Sequence, residues 1–121
     1  MYTVKADIAK NRLYISLVGF FELEEMQKCT DEVINESKKL RRGYDVITDI
    51  SQFKPAGPET VKEIERGQEH FKASGVGRGI RVVGESVLSG MQFNRTGKTI
   101  GYTPDTVATI ADAEKLLDSQ K

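Results

Sequence analysis

The chain opens on two stretches that alternate apolar and polar residues with a period of two. In residues 2–9, Val4, Ala6 and Ile8 fall on one side and Lys5 and Asp7 on the other. In residues 12–18, Leu13, Ile15 and Leu17 share a side opposite Tyr14 and Ser16. Such alternation marks strands with one buried face. The gap between them, Lys10-Asn11, ends in a residue that tolerates positive φ, which predicts a tight hairpin.

After Gly19 the period changes to that of a helix. Leu23, Met26, Thr30, Val33, Ser37 and Leu40 recur at three- and four-residue steps and predict a helix from Phe21 or Glu22 to Arg42. Glu22, Glu24 and Glu25 crowd its start, and Lys38, Lys39, Arg41 and Arg42 its end, an order that complements the helix dipole. Tyr44-Asp45-Val46-Ile47-Thr48-Asp49-Ile50-Ser51 is rich in β-branched residues and predicts the central strand, between Gly43 and a turn-rich loop over 52–57. Pro58 then stands at the first-turn position proline prefers, with Val61, Ile64, Gln68 and Phe71 as an inner stripe and Gly75 as a stop. Residues 79–84 predict a strand with Ile80 and Val82 inward and Arg81 and Val83 outward. Ser86 is placed to cap a further helix expected to run to about residue 96, with Leu88, Met91 and either Phe93 or Arg95 expected to meet the core. A short strand over 106–110 and a helix over 112–119, with Ala113, Leu116 and Leu117 inward, close the chain.

The order ββαβαβαβα predicts an α/β fold in which a mixed five-stranded sheet begins with an N-terminal hairpin and continues by parallel right-handed crossovers. Lys5, Asp7, Ser16, Asp45, Asp49 and Arg81 give the strands a polar face, whereas strands covered on both faces read as continuous apolar runs. Helices are therefore expected mainly on one side of the sheet. On the open side, Tyr14, Ile47 and Val83 are expected to form an apolar patch suited to a homodimer or a protein partner. No linker, repeat or low-complexity segment divides residues 1–121, so one domain is expected.

Composition removes several functional classes. Lys plus Arg and Asp plus Glu balance at 18 each, leaving no electrostatic drive toward nucleic acid or an anionic membrane. No run approaches the ~20 apolar residues of a membrane span, and the N-terminus lacks a signal-like pattern, so a cytoplasmic protein is expected. The single cysteine, Cys29, cannot form an internal disulfide and falls within a helix, where a small buried side chain is the expected role.

Candidate chemistry is sparse. Ser74-Gly75-Val76-Gly77-Arg78-Gly79 looks like a phosphate loop but follows a helix and opens a strand, the reverse of what anion binding at a helix N-terminus needs. Gly97-Lys98-Thr99 resembles the tail of a Walker A motif, yet Gln92 stands where the motif requires its first glycine. His70, the only histidine, has Arg66, Gly67, Ala73 and Ser74 at the positions where a second ligand would stand one turn away. Asp45 and Asp49 share a strand face but lie roughly 13 Å apart, too far for a paired acid and base. No catalytic residues, metal or cofactor are therefore expected. The best candidate site is the crest beyond the carboxyl ends of the strands, where open α/β sheets bind ligands. It collects Phe20, Phe21, Asp49, Ser51, Phe53, Lys54 and Ser86. Phe21 and Phe53 are expected to line an apolar cleft, with Asp49, Lys54 and Ser86 at its rim, suited to an acyl-type small ligand or a partner's side chain.

The opening hairpin, the helix after Val18-Gly19, the strand Val46-Ile47-Thr48-Asp49-Ile50-Ser51, the segment Gly79-Ile80-Arg81-Val82-Val83-Gly84 and the closing Ala111-Asp112-Ala113-Glu114-Lys115-Leu116-Leu117 together resemble the STAS domain of anti-sigma-factor antagonists. The pattern also resembles small lipid-binding folds of the phosphatidylinositol-transfer type. The resemblance spans nearly the whole chain and implies a regulatory role without chemistry. Anti-sigma antagonists carry a phosphorylatable Asp-Ser-Ser-Gly motif where the helix after the central strand begins. Here that region reads Phe53-Lys54-Pro55-Ala56-Gly57-Pro58-Glu59-Thr60, which implies a branch that lacks the switch, with Ser51 and Thr60 as the nearest hydroxyls.

Overall fold

The computed structural model describes residues 1–54, 57–84 and 105–119. Their strands form one sheet in the order β1-β2-β3-β4-β5. β1 (Tyr2–Asp7) and β2 (Arg12–Gly19) pair antiparallel. β3 (Asp45–Phe53), β4 (Gly79–Val82) and β5 (Asp105–Val107) then add in parallel. The expected mixed α/β sheet with its opening hairpin is the one observed. The helix expected from Ser86 lies outside the described residues.

The hairpin turns over residues 8–11, two more than the sequence suggested. Asn11 takes φ 53° there, and its amide nitrogen donates to the Ile8 carbonyl at 3.2 Å. Its side chain also exchanges two hydrogen bonds with the Arg41 backbone, at 2.7 and 3.2 Å, tying the turn to the far end of the next crossover. α1 (Leu23–Ser37) stops five residues short of the expected end. Lys39 and Leu40 bond back three residues instead of four, and Gly43 at φ 91° reverses the chain into β3. The basic cluster of Lys38 to Arg42 therefore lies beyond the helix end. α2 (Pro58–Ala73) has proline in its first turn as expected. α3 (Ile110–Asp118) is capped by Thr109, whose hydroxyl accepts from the Asp112 amide at 3.1 Å.

α1 and α2 pack side by side on one face of the sheet. Met26, Cys29, Val33, Ile64 and Phe71 meet Leu13, Ile15, Leu17, Val46 and Ile50 there. Each fully buried aliphatic side chain in this layer contributes about 1.5–3 kcal/mol. α3 covers part of the opposite face, where Ala113 and Leu117 seat on Ile47, Ile80 and Val82. Two of the three described helices thus share a face, and the third clads the half of the sheet around β3 and β4.

This layering corrects two expectations. Thr48 pairs with Arg81 in the β3–β4 register, so Arg81 points to the α1/α2 side, where it is 2% exposed. Ile80 and Val82 point to α3. The proposed interface of Tyr14, Ile47 and Val83 also separates: Ile47 is 1% exposed beneath α3, Tyr14 packs beside it, and Val83 joins the opposite core. All four residues of β4 are buried. A strand covered on both faces has no polar side to reveal its orientation.

The Gly75–Gly79 stretch is the helix-to-strand turn anticipated from its position. The Gly77 amide donates to the Tyr44 carbonyl at 2.6 Å, and a β-carbon on Gly77 would stand 2.3 Å from the Gly43 carbonyl oxygen. Backbone approaches backbone too closely there for any side chain.

Candidate functional site

At the crest, the β2–β3 ladder shifts register between Ser16 and Val18 and then runs on to Gly19↔Phe53. Gly19 turns the chain at φ 80°, and its carbonyl accepts from the Lys54 amide at 3.1 Å. Phe21 drops straight into the core, where its ring meets Phe53 edge-on at 5.7 Å and Tyr2 at 6.4 Å. Both phenylalanines are buried. The expected cleft between them is filled by their own rings, because the short turn leaves Phe21 no route outward. Phe20, the residue between, is 63% exposed.

The polar residues of the crest are engaged locally. The Asp49 carboxylate accepts from the Ser51 amide at 2.9 Å and from the Ser51 hydroxyl at 2.6 Å, a local turn of the kind Asp favours. Gly84, at φ 51°, lies against Ser51, a β-carbon there falling 2.9 Å from that of Ser51. Lys54 is exposed. Of the expected crest residues, Asp49 and Ser51 meet directly, Lys54 reaches Gly19 through its backbone amide, Phe20 stands exposed, Phe21 and Phe53 are withdrawn into the core, and Ser86 lies outside the described residues. Beside Phe20, a shallow depression is bordered by Tyr2, Glu22, Glu24, Glu25 and Lys28.

The side chains with intrinsic reactivity are held in unreactive settings. Burial, reinforced by Glu32 and Glu25, pushes the Cys29 thiol up to about 12, so the thiolate is scarce near neutrality. Burial, with the nearby Lys38 charge, lowers the His70 imidazole below its ordinary value. Its Nε2 stands 2.7 Å from the Ser37 hydroxyl, which donates its own proton to the Ile34 carbonyl at 2.8 Å. Among the described residues, no three His, Cys, Asp or Glu side chains are grouped to hold a metal ion. No described helix is long and apolar enough to cross a membrane.

Two features escaped the sequence reading. The first is a charged cluster under α3. Arg12 is fully buried, and its guanidinium bonds Glu114 at 3.0 Å and Asp118 at 3.1 Å, while Tyr14 donates to the same Glu114 carboxylate. Burial alone would raise the Glu114 carboxyl, but hydrogen bonds from Tyr14, Arg12 and Lys10 together hold it below its ordinary value. Glu114 and Asp118, four apart on a helix, were the available signal. The second is a small cavity of about 60 Å³ between α1, α2 and the sheet. Gln68, 4% exposed, borders it with its side-chain oxygen unpartnered. Its signal was a glutamine inside the apolar stripe of α2, opposite Thr30 on α1.

No family model and no curated protein matches the chain. Among solved structures, it is similar to the NMR structure of the protein TM1081, with 18% sequence identity, a TM-score of 0.62, and coverage of 95% of this chain and 86% of that one. At that identity the likeness is one of fold, and the mixed α/β architecture is what the two share.

Proposed function

We propose that the chain is a non-enzymatic regulatory interaction module of STAS type, which engages a protein partner through its crest with Phe20 at the centre of the contact. One observation carries this reading: a large aromatic side chain stands exposed on a turn that is fixed from both sides. Gly19 is tied to β3 and Phe21 is anchored in the core. An aromatic held in place before binding loses little freedom on association, which is what interface hot spots exploit. Glu22 and Glu24 flank it and favour a partner segment that is apolar with a basic edge. The inert settings of Cys29 and His70 support a role without chemistry.

Recognition here does not run through the family's phosphoswitch. Thr60 is buried and its hydroxyl donates to the Gly57 carbonyl at 2.7 Å. The Ser51 hydroxyl is spent on Asp49. Neither is presented to a kinase as a free loop serine would be. The decisive experiment captures proteins from native lysate on the wild-type chain and on Phe20→Ser, then reconstitutes any captured pair from purified components. A stoichiometric partner that binds the wild type and is lost with Phe20→Ser supports the reading. Identical capture by both proteins, or turnover of a substrate by the wild type, overturns it.

A further inference from the structure

Buried polar atoms in a native core nearly always have a hydrogen-bond partner, and leaving one without costs more than omitting it. The Gln68 oxygen is such an atom. It sits in the middle of α2, on the face turned toward α1 and the sheet, and it borders the cavity between them. Met26, Cys29, Ile64 and Phe71 give that cavity an apolar lining. Gly67 borders it too, and a β-carbon placed there would touch only the Thr30 methyl, at an ordinary 3.8 Å. Glycine in a helix interior is unfavourable, so its presence preserves space at the seam of α1 and α2.

Across the outer edge of the same seam the helices are clamped. Arg66 on α2 bonds Asp31 on α1 at 2.9 Å and Glu63 at 2.7 Å. Thr30 uses its hydroxyl on the Met26 carbonyl at 3.0 Å and so does not satisfy Gln68. The seam beside the space is therefore tied across, and among the described residues the Gln68 oxygen is left without a partner.

We propose that this cavity is a binding site for a small neutral molecule with an apolar body and one hydroxyl group, and that the Gln68 side chain is its polar anchor. The hydroxyl donates to the Gln68 oxygen, while the body lies against Met26, Ile64 and Phe71. A volume of about 60 Å³, where one water needs about 10–15 Å³ on the same measure, leaves room for a molecule of a few heavy atoms. Arg81 and Glu63, the charged residues that also border the cavity, are of opposite sign, so the lining offers an ion no net charge to offset the hydration it would lose against the apolar wall. This site is separate from the crest and stands independently of the partner reading.

The test uses the full chain, with 1-propanol and xenon as probes and methyl and amide resonances as the readout. Propanol reads the anchor plus the apolar wall, and xenon reads the wall alone. In the wild type, propanol is expected to shift the Met26 and Ile64 methyls saturably. Gln68→Leu is expected to weaken propanol about tenfold while leaving xenon binding within about twofold, since only the hydrogen bond is removed. Gly67→Ala, which fills space without touching the amide, is expected to weaken both. Three results overturn the proposal: no saturable shift at these methyls, equal propanol affinity in wild type and Gln68→Leu, or a long-lived internal water that propanol does not displace. The first means no usable site, the second an adventitious apolar hole, and the third an amide that serves hydration only.

Discussion

Arg12 is a guanidinium with no solvent exposure at the start of β2, held between Glu114 and Asp118 of a helix a hundred residues away in sequence. Its Nε has no partner among the described residues, so the burial is incompletely compensated there. Breaking a buried pair costs more than replacing it, because the remaining charge loses its partner. Glu114 keeps some access to water, which moderates the penalty. Arg12→Ala is therefore expected to destabilise the protein by about 2–4 kcal/mol, and Arg12→Met paired with Glu114→Gln by less than Arg12→Ala alone. Urea unfolding of the two variants checks this, and the reverse ranking would show that the charges themselves stabilise. His70 makes a separate prediction about pH. Its folded value lies below the ordinary 6.5, so the unfolded chain takes up the proton first as pH falls. Stability from this residue is present above pH 6.5 and is lost as pH falls through the folded value. His70→Gln should flatten that slope, and parallel pH profiles for wild type and variant between pH 7.5 and 5 would remove the assignment. Glu114, also depressed, contributes in the same direction lower down: its part is present above about 4.5 and lost as pH falls through its folded value.

At the scale of elements, the seam between α1 and α2 holds a trade between stability and space. Gly67→Ala should raise stability by up to about 1 kcal/mol, the difference in helix propensity, because the new methyl meets only Thr30. A melt that shows loss instead would mean that the seam is already full. The same elements show how much of the fold the sequence carried. Strands β1 and β2 announced themselves by alternation, and α1 and α2 by stripes that reappear as Met26, Thr30, Val33 and Ser37, and as Ile64, Gln68 and Phe71. β4 was read as a strand with its faces reversed, because Gly79–Val82 is buried throughout and its one charged residue points into the α1/α2 layer. Topology pointed to the crest as the candidate site, but alternation carries no information about which of two adjacent phenylalanines turns inward. The Gln68 cavity was legible only as an oddity, one amide in an apolar stripe, since a void leaves no mark on the sequence.

For the molecule as a whole, the decisive fact is that α3 lies across the sheet face that the sequence left open. The face holds Tyr14 and Ile47 of the expected patch, joined not by Val83 but by Ile80 and Val82, which were expected on the other side. Its occupant is this chain's own last helix, fastened by Ala113 and Leu117 on the sheet and by the Arg12–Glu114 pair beside them. Self-association through Ile47 would require α3 to leave, giving up both the apolar contact and the charge pairing. Ile47→Lys is accordingly a test of burial. A lysine at a site 1% exposed, with apolar neighbours on α3, must either lose its charge or expel the helix. The expected outcome is a loss of about 3 kcal/mol or more, seen as a lower urea midpoint and early exposure of α3 amides to hydrogen exchange. Sedimentation of the protein that stays folded should be unchanged. A stable, fully protected Ile47→Lys protein with an altered sedimentation coefficient would mean that the face is open in solution, and would return the interface to the sheet.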